Sequence, residues 1–279
     1  MHASERSLRP IGVFDSGIGG LTVVRALRDL LPHEDIFYIG DTARLPYGGK
    51  SKSTIERYSV EISGLLLAEN AKMIVVACNT ASSLAISKLQ EILNVPVVGV
   101  IAPGARAAVK ETRIGHVGVI GTRSTIKSEA YERAIQALNP EVRVTSQACP
   151  LLVPLVEEAW LVDEVTREVL HRYLDPVLET GIDTLVLGCT HYPLLAPLIQ
   201  EVSGPGVQLV DSAKNCAIAV KQTLLECRLE NMVVGAGKLN VALTDSSNSF
   251  LATARQALQL EIDSVETRIV QGVFLLEPT

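Results

Sequence analysis

Short apolar runs alternate along this chain with longer segments of helical periodicity. The runs predict strands at 11–14, 35–39, 74–77, 96–100, 184–187, 207–212 and 239–245, with a further strand opening the segment 115–128. The helical pattern predicts helices at 21–31, 53–68, 165–178, 213–228 and 248–258, and the polar stretch 40–51 is predicted as a loop. Strands separated by helices of this length form right-handed βαβ units. The chain is therefore predicted to have an α/β fold with mostly parallel sheets flanked by helices.

The second half of the pattern repeats the first. Residues 115–128 read as strand, small polar turn and helix, as residues 11–31 do, and each half later has an apolar strand that ends at a cysteine. Any two α/β domains share part of this pattern, and the cysteines strengthen the case for duplication. We predict two pseudo-symmetric α/β domains with a boundary at Pro103 and Gly104. The first comprises residues 1–103 plus 214–279, whose C-terminal segment folds back onto it, and the second comprises residues 104–213.

Composition restricts the class of partner. Hydrophobic residues make up 47% of the 279 positions and charged residues 20%, which is typical of a globular protein with a sizeable core. The net charge of -6 offers no basic surface to nucleic acid or to an anionic membrane. No apolar run is long enough for a membrane span, and the first ten residues lack a signal-peptide core. A small-molecule partner is predicted.

The five cysteines are odd in number and lack metal-like spacing. Neither a disulfide framework nor a metal site is predicted, which favours a reducing cytoplasm. Cys149, Cys216 and Cys227 are interpreted as small hydrophobic core residues. Cys78 and Cys189 differ, because each follows a strand and precedes a predicted helix.

The carboxyl ends of parallel strands are where ligands bind in such sheets, so Cys78 and Cys189 are candidates for chemistry. A helix N-terminus there is expected to lower the pKa of each thiol from about 8.5. The turn Asp15–Gly20 also follows a strand. It either presents backbone N–H groups to an anion or only makes a tight connection.

Two opposed thiols suit a reaction that inverts a stereocentre. Such a reaction removes a proton from one face of a carbon and supplies a proton to the other face. It therefore needs a base and an acid on opposite sides, and a thiol can take either role. His191 is placed to assist Cys189, and Asp15 to assist Cys78.

Several motifs resemble the cofactor-independent glutamate racemases, which supply D-glutamate for bacterial peptidoglycan. They span nearly the whole chain and occur in the family's order, at residues 12–20, 40–48, 77–81, 118–122 and 188–193. The resemblance implies two pseudo-symmetric α/β domains with the active site in the cleft between them. It also implies that no pyridoxal phosphate, other cofactor or metal is required.

The resemblance assigns roles by position. Cys78 and Cys189 match the two catalytic acid/bases, with Cys189 expected to act on L-glutamate and Cys78 on D-glutamate, and Asp15 and His191 match the assisting groups. The substrate-binding positions are matched by Asp15, Ser16, Tyr47, Gly48, Asn79, Thr80, Thr122, Glu157, Thr190 and His191. Glu158 adjoins Glu157 and competes for the same assignment. A cytoplasmic homodimer is expected.

Four other functions are compatible with parts of the pattern. The nearest is the same chemistry on another acidic amino acid, such as aspartate. Hydrolysis by a nucleophilic thiol needs only one cysteine and leaves the second unexplained. The third is a non-catalytic two-domain amino-acid-binding protein. A redox pair is the fourth, and it conflicts with thiols that are separated by a substrate.

Overall fold

The computed structural model describes residues 5–245 and 258–270, and their strands form two parallel sheets. The first sheet has the order β10-β9-β2-β1-β3-β4. Its strands are β1 (Ile11–Asp15), β2 (Ile36–Gly40), β3 (Met73–Val76), β4 (Val97–Gly99), β9 (Leu239–Leu243) and β10 (Ser264–Thr267). Strand β9 pairs in parallel with β2, so residues 239–243 lie in this sheet.

The second sheet has the order β6-β5-β7-β8, which matches the order β2-β1-β3-β4 within the first. Its strands are β5 (His116–Gly121), β6 (Arg143–Ala148), β7 (Thr184–Gly188) and β8 (Gln208–Asp211). The four-strand core is thus repeated, and the strands that precede Cys78 and Cys189 take equivalent places. The predicted α/β fold with parallel sheets is confirmed.

Helices connect consecutive strands and begin at polar caps in several cases. The side chains of Ser51, Thr122, Asp163 and Asp211 each accept a hydrogen bond from a backbone N–H in the first turn of the helix that follows, as N-caps do. The helices are α1 (Leu21–Leu30), α2 (Lys52–Ala68), α3 (Asn79–Ile92), α4 (Ile101–Glu111), α5 (Arg123–Lys127), α6 (Ala130–Leu138), α7 (Leu152–Glu157), α8 (Glu164–Leu178), α9 (Ala196–Ser203) and α10 (Ser212–Cys227).

Helices α4 and α10 lie between the two sheets and pack against each other. They share one continuous apolar core with α1 and with strands of both sheets. Separate cores cover the outer face of each sheet. The predicted domain limits at 103/104 and 213/214 fall inside α4 and α10, so those limits stay a prediction.

Pro103 and Gly104 do not interrupt the chain as a linker would. Both lie in the first turn of α4, and the Gly104 N–H donates to the carbonyl of Val100 at 3.2 Å. A proline in the first turn of a helix removes no intrahelical hydrogen bond, because the N–H groups there have no partner within the helix.

Two further predictions are changed by the structure, and two strands were missed. The stretch 40–51 is not wholly loop, because it contains short 3-10 helices at Thr42–Arg44 and Tyr47–Gly49. Strands β6 and β10 were not predicted, since β6 has no buried position and all of β10 is exposed. Cys227 is exposed at the end of α10 and is not a core residue. Most of the predicted helix at 248–258 lies outside the described residues.

Within residues 5–245 and 258–270, no helix is both long enough and apolar enough to cross a membrane.

Candidate active site

The turn after β1 is organised by a buried carboxylate. Asp15 Oδ2 accepts the backbone N–H groups of Gly17 and Gly20, each at 3.0 Å. Asp15 Oδ1 accepts the Thr190 hydroxyl at 3.4 Å. The sequence left open whether this turn presents its N–H groups to an external anion. In the structure, the anion bound by two of them is Asp15 itself.

Cys78 lies directly after β3 and immediately precedes α3. Its side chain is buried, and its Sγ donates to the Ser16 hydroxyl at 3.8 Å. The predicted pKa shift of this thiol is wrong in sign. Burial, and then the negative charge of Asp15, raise the pKa of Cys78 to about 12, although the N–H of Ala81 and the Ser16 hydroxyl act to lower it. Desolvation of a thiolate outweighs the attraction of one helix terminus.

Cys189 follows β7 but does not begin an α-helix. Three residues later a short 3-10 helix, Tyr192–Leu195, leads into α9. A single 3-10 turn carries little of the dipole of an extended helix, so the prediction of a helix N-terminus at this thiol is also wrong. The nearest polar group is the ring of His191, whose Nδ1 lies 3.8 Å from Cys189 Sγ.

His191 is buried between a thiol and a carboxylate. Its Nε2 lies 3.3 Å from Glu157 Oε1, on the side of the ring opposite Cys189. Burial acts to lower the pKa of His191, but the hydrogen bonds to Cys189 and Glu157 outweigh it and raise the pKa to about 10. His191 is therefore an imidazolium at neutral pH, with one N–H directed to each partner. Glu157 makes this contact, whereas Glu158 is exposed.

The free energy of unfolding is expected to depend on pH through the protonation of His191. Because the pKa of His191 is higher in the folded chain than the ordinary value of 6.5, the proton favours folding. That contribution is complete below pH 6.5 and is lost as the pH rises through about 10. The melting temperature of wild type minus that of His191→Gln should therefore shrink between these pH values. A difference that stays constant or widens over this range would contradict a protonated His191.

Side chains from both sheets meet at the opposite wall of the cleft. The hydroxyl of Thr80, on α3, lies 2.9 Å from that of Thr122 and 3.3 Å from that of Thr125. The Ser124 hydroxyl donates to the carbonyl of Gly48 at 2.9 Å. These bonds hold the 40–51 segment and α3 of the first sheet against α5 of the second.

Asn79 presents an unpaired donor at this wall. The side chain is buried, its Oδ1 accepts the Tyr131 hydroxyl at 2.7 Å, and its Nδ2 has no hydrogen-bond partner. Buried polar groups are nearly always paired, and an orphaned donor beside a cavity points to a ligand acceptor. A carboxylate is the acceptor that suits an amide N–H group.

Most of the predicted site residues surround one small cavity between the sheets. Those that line it are Ser16, Gly48, Cys78, Asn79, Thr80, Thr122, Cys189, Thr190 and His191. Leu45 and Val153 also line it and were missed, since an isolated apolar residue gives no signal in the sequence. The cavity volume is about 30 Å³, space for little more than a water molecule, so the cleft must open to admit an amino acid.

Three predicted residues stand behind this lining. Asp15 supports the turn, and Glu157 reaches the cavity only through His191. The Tyr47 hydroxyl donates to the buried carboxylate of Asp41, which also accepts from Thr244 just after β9. The Tyr47–Gly48 pair therefore meets the cavity through Gly48 alone.

No group of histidine, cysteine, aspartate or glutamate residues suited to holding a metal ion occurs in the part of the chain that the structure describes. The polar groups of the cavity are instead thiols, hydroxyls, an amide and an imidazolium. These groups bind carboxylates and transfer protons.

Each of the two parallel sheets supplies one thiol to a shared cavity. This arrangement defines a class of protein, the racemases and epimerases that act on both faces of one carbon. The particular family follows from comparison. A family model described as Asp/Glu/Hydantoin racemase matches residues 21–223, and the chain belongs to this family.

The relatives of high sequence identity are glutamate racemases. The chain is 55% identical over 231 residues to the glutamate racemase of Syntrophus aciditrophicus (strain SB), covering 83% of this chain and 86% of the relative. Glutamate racemase isoform RacE1 from Bacillus anthracis superposes with a TM-score of 0.90 at 40% identity, covering 93% and 97% of the two chains. The Francisella tularensis enzyme, solved with D-glutamate, gives 0.89 at 36% identity, covering 96% and 100%. The predicted family and fold are thereby confirmed, and the chain is an isomerase.

Proposed function

We propose that this chain interconverts L-glutamate and D-glutamate by proton transfer between Cα and two thiols, without a cofactor. The observation that carries the proposal is the placement of Cys78 and Cys189, from different sheets, around one cavity. The relatives named above act on glutamate and support this substrate. In a bacterial cell the product D-glutamate would supply peptidoglycan synthesis.

Conversion of L-glutamate begins at Cys189. Its sulfur takes the Cα proton as a thiolate, beside the positive charge of His191 at 3.8 Å. Cys78 then gives its proton to the opposite face of the carbanion. The raised pKa of Cys78, about 12, keeps this thiol protonated and ready to act as the acid. The two cysteines exchange roles for D-glutamate, which reacts with the form of the enzyme that has Cys78 as the thiolate and Cys189 as the thiol.

The α-carboxylate of the substrate is proposed to bind at the Asn79 wall. The free Nδ2 of Asn79 and the hydroxyl of Thr80 are donors at the cavity. Negative charge moves onto this carboxylate when Cα loses its proton. Donors that are already in position stabilise that charge without reorganising. In many enzymes this stabilisation is the largest single contribution to the rate enhancement.

Circular dichroism tests the proposal directly. The signals of L-glutamate and D-glutamate, each incubated with metal-free and cofactor-free protein, are expected to decay to zero. L-Aspartate in a parallel sample should keep its signal. Decay of aspartate alone would move the assignment to that substrate. No decay of either amino acid, with binding retained, would identify a binding protein and refute catalysis.

Closure of the cleft is expected to depend on a glycine at position 48. A Cβ there would lie 2.8 Å from Thr122 Cβ, across the cleft, whereas a Cβ at Gly49 would meet nothing within 4 Å. Overpacking of this kind costs about 1–3 kcal/mol, so Gly48→Ala should lower kcat/KM roughly 5- to 150-fold. Gly49→Ala is the matched control and should retain wild-type kinetics. Equal kinetics for the two variants would show that closure does not bring Gly48 and Thr122 together.

The homodimer and the cytoplasmic location belong to the same proposal. All five cysteines are free thiols, and four of them are buried. Free thiols used as acid/bases need a reducing compartment. Size-exclusion chromatography with light scattering should give the mass of two chains, and a mass of one chain would exclude the dimer.

A further inference from the structure

A buried tyrosine lies directly behind Asn79. Tyr131 is on α6, which belongs to the second sheet, and its hydroxyl donates to Asn79 Oδ1 at 2.7 Å. Asn79 begins α3, which follows the first sheet. The bond therefore joins the two halves of the protein immediately beside the cavity.

The ring of Tyr131 is held between two glycines. A Cβ on Gly104 of α4 would lie 3.1 Å from Cε1 of the ring, and a Cβ on Gly188 would lie 3.2 Å from Cε2. Close packing on both edges leaves the ring little freedom to move. The position of the hydroxyl is thus set by the fold of the second half.

A side-chain amide has one acceptor end and one donor end. Tyr131 occupies the acceptor end of Asn79, and the donor end, Nδ2, is buried without a partner at the cavity. If the Asn79 amide were rotated by 180°, its carbonyl oxygen would face the cavity in place of Nδ2. That oxygen would repel a substrate carboxylate.

We propose that Tyr131 is a positioning residue for racemisation, whose hydroxyl holds the Asn79 amide with its N–H groups facing the substrate α-carboxylate. The inference rests on the proposed function, since it assigns the unpaired donor to that carboxylate. Charge on the carboxylate grows in the transition state. Loss of the orientation should therefore lower kcat more than it raises KM.

The test is a double-mutant cycle with Tyr131→Phe and Asn79→Ala. Tyr131→Phe removes only the hydroxyl and is expected to lower kcat/KM about tenfold, the effect of one hydrogen bond. In the Asn79→Ala background the same substitution should change kcat/KM less than about twofold, because there is no amide left to orient. A purely structural role would lower kcat/KM by the same factor in both backgrounds, and that result overturns the proposal.

Two controls separate this inference from the proposed function. Tyr173→Phe removes a hydroxyl from a half-buried tyrosine on α8, away from the cavity, and should leave kcat/KM unchanged. Wild-type protein is assayed beside every variant. An inactive wild type contradicts the proposed function, whereas an active wild type with additive variants contradicts only the role of Tyr131.

A second variant covers failure of Tyr131→Phe to fold. A Cβ at Gly104 would lie 3.2 Å from the Tyr131 hydroxyl, so Gly104→Ala displaces that group while keeping it. We expect a fall in kcat/KM of a few-fold with Asn79 present and none in the Asn79→Ala background. Equal effects in both backgrounds, or none in either, count against the proposal.

Discussion

Replacing either Cys78 or Cys189 by alanine is expected to lower kcat for both enantiomers by about 1,000-fold or more. A general acid or base contributes roughly 100- to 10,000-fold, and inversion at Cα needs one on each face. The two cysteines follow equivalent strands of the two sheets and line the same cavity. Neither can replace the other. Racemisation of L-glutamate and of D-glutamate should be measured separately for each variant.

Cys227→Ala is the matched control for the cysteine variants. Cys227 is exposed at the end of α10 and does not line the cavity, so its replacement should leave kcat unchanged. Far-ultraviolet circular dichroism checks that all three variants keep the fold. A folded Cys78→Ala or Cys189→Ala protein that retains more than about a tenth of wild-type kcat would rule out the two-thiol mechanism.

Gly19→Ala is expected to lower kcat/KM about 100-fold with the sheets intact. A Cβ at this position would lie 2.4 Å from Thr190 Oγ1 and 2.5 Å from His191 Nδ1. Both atoms belong to the second half of the chain and would have to move. A displacement of about 1 Å in catalytic groups can cost on the order of 100-fold in rate. Steady-state kinetics in both directions measures the loss.

The control for this glycine is Gly64→Ala. A Cβ at Gly64, within α2, would meet nothing within 4 Å, so activity should be unchanged. Helix propensity there favours alanine, and a small rise in melting temperature is expected. If Gly19→Ala were as active as Gly64→Ala, the turn after β1 would not press against Thr190 and His191 in the active protein.

The local pattern of hydrophobic residues was sufficient to predict the strands that position the thiols. The apolar runs of β1, β3 and β7 are buried throughout, so hydrophobicity alone marks them. Once the strands are parallel, their carboxyl ends share one edge of the sheet, and the residues after them must lie there. This explains why Cys78 and Cys189 could be singled out before any contact was known.

Properties that depend on distant contacts could not be predicted from pattern. The pKa of Cys78 depends on burial and on Asp15, 63 positions away in the chain, and the expected sign was wrong. The orientation of Asn79 depends on Tyr131, 52 positions away. Apolar Leu45 and Val153 line the cavity without any local signal. Strand β6 escaped prediction because its sequence, RVTSQA, is largely polar and none of its residues is fully buried.

The action of one thiol on each face of Cα is tested by racemisation in D₂O that is stopped early in the reaction. Both thiols exchange with solvent, so the thiol that protonates the second face delivers deuterium. Two-thiol catalysis predicts that D-glutamate formed from L-glutamate carries deuterium at Cα while the remaining L-glutamate carries protium, with the converse result from D-glutamate. Product that keeps the original proton at Cα would show a single base transferring it between the faces, and would contradict two-thiol catalysis.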